Sequence, residues 1–362
     1  MDLRELDTPA LLVDVDRLDR NIAAMAKSFA GSEVALRPHA KTSKCWEVAR
    51  RQLDAGAVGM TCSTAAEVTW LRAHGVTDLL WANVPVGPGK VALAVEVARQ
   101  GGLTVTLDSV EAARPLSTAA AEAGVTVPFL LEVNTGHARL GVEPDHAVAA
   151  AEAITALPGL RLRGVLTHEG HIAASADRTS LEEAGTAAGE RLVAVGEALR
   201  LAGHPIDVVS VGSTPGATSA PFVAGVTEAR PGTYAYHDAN QVRLGSTTID
   251  RCALTVLARV VSVQRDGRAI IDAGVKAMSS DTIAVAGSVG VAVDPAGVPL
   301  PGVTFAEANE EHGFLFHSGG FAVGDLVRLV PNHACGTTNM WSHAYAVRRT
   351  EVLAEWPIAA RY

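Results

Sequence analysis

Aromatic residues make up only 4% of this 362-residue chain, and 30 Lys and Arg against 39 Asp and Glu leave a net charge of -9. A nucleic-acid binder would present a basic face, so the charge balance argues against that class. Every apolar run is broken by Lys, Arg, Asp or Glu before it reaches membrane length, and the opening residues 1–7 lack a basic stretch followed by an apolar one. The four cysteines (Cys45, Cys62, Cys252 and Cys335) are scattered, with no Cys-x-x-Cys pair. This speaks against a disulfide framework and for a reducing, cytoplasmic setting. Also missing are a Gly-x-Gly-x-x-Gly after the first strand and a Gly-Lys-Ser/Thr phosphate loop, which weakens the case for an open doubly wound sheet.

What is present is a hydrophobic fraction of 48% and 34 glycines, enough for a large, tightly packed core. Short apolar runs recur at residues 34–36, 57–61, 78–82, 103–107, 128–133, 162–167, 208–212 and 225–228. Between most of them lie stretches of helical spacing, such as 18–29, 46–53, 65–73, 91–99 and 181–201. This alternation predicts parallel strands joined by helical crossovers and closed as a (β/α)8 barrel over residues 15–248. After about residue 249 the pattern becomes strand-like, at 254–263, 269–272, 283–286, 326–330 and 344–347, with turn signals between. We therefore expect a second, all-β domain over 249–362, joined by residues 1–14, whose segment 11–15 also reads as a strand.

The candidate chemistry lies where strands of a barrel would end, because residues just past their carboxyl ends face the ligand pocket. Arg37-Pro38-His39-Ala40-Lys41-Thr42 follows the first run. A lysine is ordinarily a solvated surface group, but this place and its neighbours Arg37 and His39 point to an amine used for covalent catalysis. Lys44, expected at the start of the next helix, ranks second. Gly212-Ser213-Thr214-Pro215-Gly216 follows the seventh run and suits either an ordinary turn or an anion held by backbone N–H groups. Pro231-Gly232-Thr233-Tyr234 follows the eighth, where Tyr234 offers a hydroxyl to the same anion. Arg139, after the fifth run, is a fixed cation suited to a cofactor oxygen or ring nitrogen. His168, Glu169 and His171, after the sixth, would line the same mouth. Near the end, His333 and Cys335 stand two apart; on an extended segment such residues share a side, and imidazole plus thiolate is a zinc-type ligand set. Two ligands do not close a tetrahedron, so water or substrate would fill the rest.

Taken in order, Arg37–Thr42, Gly136-His137-Ala138-Arg139-Leu140-Gly141-Val142, Gly212-Ser213-Thr214-Pro215, Arg230-Pro231-Gly232-Thr233-Tyr234, Asp272-Ala273-Gly274-Val275-Lys276, Glu311-His312-Gly313 and Pro331-Asn332-His333-Ala334-Cys335 resemble the D-threonine aldolase / D-serine dehydratase family of fold-type III pyridoxal-phosphate enzymes, with an alanine-racemase-like barrel. The resemblance runs from about Asp7 to the C-terminus. It implies that Lys41 carries pyridoxal 5'-phosphate as an imine. It also implies a phosphate cup at Gly212, Ser213, Thr214, Gly232 and Tyr234, and Arg139 near the ring hydroxyl. A divalent metal would sit on His333 and Cys335, and the chain would form a homodimer. One departure stands out: members often read Lys-Thr-His-Lys, whereas this chain reads Lys41-Thr42-Ser43-Lys44, so His39 or His168 would have to take over any role of that histidine.

These readings converge on a lyase acting on a D-β-hydroxy-α-amino acid, with Lys41, His39 and His168 as catalytic candidates. In the family a His-x-Asp pair goes with Mn²⁺ and aldol cleavage, and His-x-Cys with Zn²⁺ and dehydration. Cys335 therefore favours the D-serine dehydratase type over D-threonine aldolase. An amino acid racemase, which would need no metal, ranks below both, and a non-catalytic cofactor-binding protein is the reading from another class.

Overall fold

A computed structural model describes residues 1–280, 288–317 and 319–361. Their contacts divide the chain into two compact units: Met1–Met25, Thr42–Arg51 and Thr233–Arg361 in one, Ala26–Lys41 and Gln52–Gly232 in the other.

The second unit holds eight parallel strands among the described residues: Ala35–Leu36, Met60–Cys62, Leu79–Trp81, Leu103–Leu107, Val127–Glu132, Leu160–Leu166, Val208–Val211 and Glu228–Ala229. Each falls on or beside one of the eight apolar runs. They pair in sequence order, and the first also pairs with the eighth. The first and second are joined by Val58 N–H to Leu36 O at 3.0 Å and Thr61 N–H to Pro38 O at 2.8 Å, which closes the barrel. Burial on both sides explains the largely apolar character of strands such as Met60–Cys62, Leu79–Trp81 and Leu103–Leu107. Four helices between consecutive strands, Ala65–Ala73, Pro88–Gln100, Val110–Glu122 and Ala147–Thr155, are ordinary crossovers. The longest helix, Arg178–Leu201, starts at Asp177, whose carboxylate accepts the Ser180 N–H at 2.8 Å in a capping box. Its buried face carries Gly185 and Gly189. A Cβ at Gly185 would lie 2.2 Å from Ser219 Oγ, and one at Gly189 would lie 2.9 Å from Ala220 O. These glycines let the helix press on the turns Pro215–Thr218 and Ala220–Phe222, which occupy the place of a seventh crossover helix.

In the first unit, Arg268–Ile271, Gly313–Phe316, Thr304–Ala308, Gly290–Val293, Leu326–Pro331 and Leu254–Arg265 form a ring that closes by pairing the last with the first. Ala10–Asp14 extends this sheet, antiparallel to Leu254–Arg265 and parallel to His343–Arg348, which pairs in turn with Glu351–Pro357. The expected strand at 283–286 lies outside the described residues. The strands at 290–293, 304–308, 313–316 and 351–357 were not expected from the sequence; they are short or carry Glu and Gly that break the apolar pattern. A core of Val13, Leu18, Val256, Ile271, Phe305, Leu329 and their neighbours fills the unit.

Candidate active site

In the barrel unit, Lys41 sits in the single turn Ala40–Thr42, which follows the first strand. Its backbone N–H donates to His39 Nδ1 at 3.4 Å. With that nitrogen accepting, the His39 proton is on Nε2, which lies 3.2 Å from Ser63 Oγ beyond the second strand. His39 thus ties the lysine turn to its neighbour strand.

His168, just past the sixth strand, has Nδ1 2.9 Å from Gly212 O. A carbonyl only accepts, so Nδ1 carries the proton and Nε2 the lone pair. Burial, with the cations Lys41, Arg139 and Arg230 adding to it, pushes its pKa well below the usual imidazole range, so the ring is neutral. Glu169, the next residue, is buried. Its Oε2 accepts the Gly212 N–H at 3.0 Å and its Oε1 the Ser213 hydroxyl at 2.9 Å. The end of the sixth strand therefore grips the 212–216 loop by carbonyl, amide and hydroxyl. Burial raises the Glu169 pKa against these hydrogen bonds.

Arg139 is held on a loop shaped by Asn134, whose Oδ1 accepts the N–H of Gly136 at 3.0 Å and of Ala138 at 2.9 Å. Ala138 takes φ 53°, an uncommon left-handed value for a residue with a side chain. Arg139 Nη2 lies 3.9 Å from Oε1 of Glu132, the last residue of the fifth strand. Glu132 is 4% exposed, its Oε2 has no hydrogen-bond partner among the described residues, and burial raises its pKa against the pull of Arg139 and Arg230. Glu132, Thr135, His137, Arg139, Thr167 and His168 line a shallow recess here, too tight to hold a water. In the sequence Glu132 is marked only as a lone carboxylate within the apolar run Pro128–Val133.

This set fits pyridoxal phosphate: a primary amine for its aldehyde, a fixed cation for its oxygen, a neutral imidazole, and a small-residue turn for its phosphate. The unpartnered Glu132 oxygen beside Arg139 marks a polar site built for more than packing.

In the β unit, His333 ends an extended stretch, but Ala334 opens the helix Ala334–Asn339, so Cys335 stands in a helical first turn and not, as expected, on an extended segment. Cys335 Sγ lies 3.2 Å from Thr42 Oγ1 and 3.9 Å from Thr233 Oγ1. Asp238, fully buried and pushed up to about 6 by burial, accepts the Ala334 N–H at 2.9 Å. Nothing in the sequence reading singled out Asp238; its signal was an Asp just before a short helix. Imidazole and thiol are donors suited to zinc and leave positions open for water or substrate. Among the described residues no group of three or more His, Cys, Asp or Glu is arranged to hold a metal. Lys44 precedes the helix Trp46–Asp54 instead of starting it, is 5% exposed, and donates from Nζ to Ala360 O at 2.8 Å. Tyr234 is buried in the core of this unit.

A closed barrel with a lysine past its first strand, an arginine past its fifth and a glycine-serine loop past its seventh defines a class of covalent-cofactor enzymes. Residues 13–240 match the alanine racemase N-terminal domain, and residues 253–347 match a putative serine dehydratase domain. The chain is 40% identical to the D-threo-3-hydroxyaspartate dehydratase of Delftia sp. (strain HT23), with 92% of each covered. It is 34% identical to the D-threonine aldolase of Arthrobacter sp, covering 99% of this chain and 94% of that one. The solved structure of the Delftia enzyme superposes with a TM-score of 0.92, at 37% identity and 98% coverage of both chains. Among other solved forms of a D-threo-3-hydroxyaspartate dehydratase, one has a histidine replaced by alanine, and another, metal-free, has the cysteine two residues further on replaced. The chain belongs to the D-threonine aldolase / D-serine dehydratase family of fold-type III pyridoxal-phosphate enzymes, and it is a lyase of that family. Among the described residues no helix is long and apolar enough to cross a membrane.

Proposed function

We propose that this enzyme dehydrates a D-β-hydroxy-α-amino acid of the D-serine type to a 2-oxo acid and ammonia, using pyridoxal phosphate and a divalent cation, Zn²⁺ first and Mn²⁺ second. The observation that carries the choice is Cys335 beside His333, with hydroxyls of Thr42 and Thr233 near its sulfur. A thiolate ligand suits zinc, and the 40% identity to a dehydratase points the same way.

Each residue has a distinct part. Lys41 Nζ would hold pyridoxal phosphate through its aldehyde and, when free, would accept the proton from the substrate Cα. His39 holds the Lys41 backbone in place. Arg139 binds the ring oxygen, with Glu132 behind it. His168, held neutral by burial, keeps its Nε2 lone pair unprotonated. Ser213, Thr214 and Gly232 receive the phosphate. Because Glu169 takes the Gly212 N–H and the Ser213 hydroxyl, Gly212 shapes the loop without donating to the anion, and Ser213 serves through its backbone. His333 and Cys335 hold the cation in the β domain. Bound pyridoxal phosphate supplies a sink for the Cα electrons. A bound cation supplies Lewis acidity toward the β-hydroxyl. If that hydroxyl departs as water, the enamino acid left takes up one water to give a 2-oxo acid and ammonia; if it loses only its proton, Cα–Cβ breaks to an aldehyde, and Cα takes up a proton to give glycine.

Incubating the cofactor- and zinc-loaded protein with D-serine, D-threonine and D-threo-3-hydroxyaspartate separates the outcomes. Oxo acid plus ammonia supports dehydration. Glycine plus aldehyde overturns it in favour of aldol cleavage, the reaction named for the 34% identical relative. Formation of L-isomers that survives chelation would make it a racemase. Lys41→Ala is expected to lose the visible absorption and all turnover.

A further inference from the structure

We propose that Asp238 is the positioning residue of the metal-ligand turn, holding His333 and Cys335 in the arrangement that binds a cation; this rests on the ligand reading above. Asp238 is 1% exposed, and both carboxylate oxygens are committed. Oδ2 accepts the N–H of Ala334, the residue between the two ligands, at 2.9 Å. Oδ1 accepts the Gln241 N–H at 2.9 Å and so caps the helix Ala239–Arg243. Two residues on, the Asn240 N–H donates to Asn332 O at 3.2 Å. The residues on either side of His333 are thus fastened to one short segment, 238–240, far away in the chain. His237, with φ 51°, turns the backbone into Asp238 through a left-handed conformation that a residue with a side chain rarely takes. Such a value persists only where the surroundings enforce it. A charge-assisted bond to a buried carboxylate is a strong fastening.

The helix cap and the ligand turn use different oxygens, so one substitution separates them. Asp238→Ser keeps a good N-cap and drops the bond to Ala334. Ala334→Pro removes the same N–H from the other side, at a first helical position that tolerates proline and after an extended His333. The measurement is Co²⁺ and Zn²⁺ affinity of the full-length, pyridoxal-phosphate-loaded protein by chelator competition, with the thiolate-to-Co²⁺ absorption band as a second readout. Both variants are expected to bind roughly 10- to 100-fold more weakly, as when other supports of metal ligands are removed. The Co²⁺ band should shift or weaken, while the visible absorption of the cofactor is retained. Binding at native strength by either folded variant overturns the proposal. His333→Ala is the control: if it also binds as tightly as the native protein, the ligand reading itself falls, and the Asp238 proposal falls with it.

Discussion

His237 has its pKa depressed to about 4, against an ordinary 6.5, chiefly by burial and further by Arg251. The unfolded chain therefore takes up the proton first as pH falls, and this residue's contribution to stability is lost between pH 6.5 and pH 4. His237→Asn keeps a side chain tolerant of left-handed backbone and removes the titration. Relative to the native protein, the variant should gain up to about 3 kcal/mol of unfolding free energy between pH 7 and pH 4, read from urea unfolding at both values. Asp238, raised to about 6, has the opposite slope between 3.8 and 6, so the two proteins must be compared at matched pH. At this scale the sequence was legible where type and position coincide: Lys41, Arg139, His168 and Cys335 all follow expected strands. It was silent on Glu132, Glu169 as a clamp, and Asp238: no local pattern marks that Glu169 meets Gly212 and Ser213 or that Asp238 meets Ala334, each far away in the chain.

Among the elements, the loop 212–216 is held by Glu169 at Gly212 and Ser213. A Cβ on Gly216 would lie 2.8 Å from Glu169 Oε1 and 3.0 Å from Ser213 Oγ. Gly216→Ala should push the carboxylate off the loop and weaken cofactor binding about 10-fold or more, as loss of one charge-assisted hydrogen bond implies, measured by equilibrium dialysis against pyridoxal phosphate. In the sixth strand, a Cβ on Gly164 would sit 1.9 Å from Val208 O, within the pairing to the seventh. Gly164→Ala is expected to cost about 3 kcal/mol or more and to lower the melting temperature sharply. The barrel strands were visible as apolar runs because most of their residues are buried; Leu160–Leu166, with Arg161 exposed, and the two-residue Glu228–Ala229 give the weakest pattern. The β domain was half visible: Leu254–Arg265 and Leu326–Pro331 are rich in Leu and Val and mostly buried, whereas Thr304–Ala308 is mostly half-exposed and includes a polar Glu307.

For the whole molecule, the sequence placed a boundary near residue 249, while the compact units exchange the chain after Met25, Lys41, Arg51 and Gly232. The discrepancy is physical. Leu18 and Ile22 pack in the core of the first unit, while Phe29 at the other end of the same helix stacks on Phe222 in the second, with ring centroids 5.6 Å apart. Hydrophobic spacing marks the helix but not which core receives each turn of it. Thermal unfolding followed by far-ultraviolet circular dichroism and by cofactor absorption should give coincident transitions, since no unit is a continuous stretch.

That interleaving governs how the protein can be rebuilt. A hybrid made from two relatives by a single crossover would give at least one half a foreign strand or helix turn. A clean exchange of the β part needs three grafts in register, one of which begins at the peptide bond directly after Lys41.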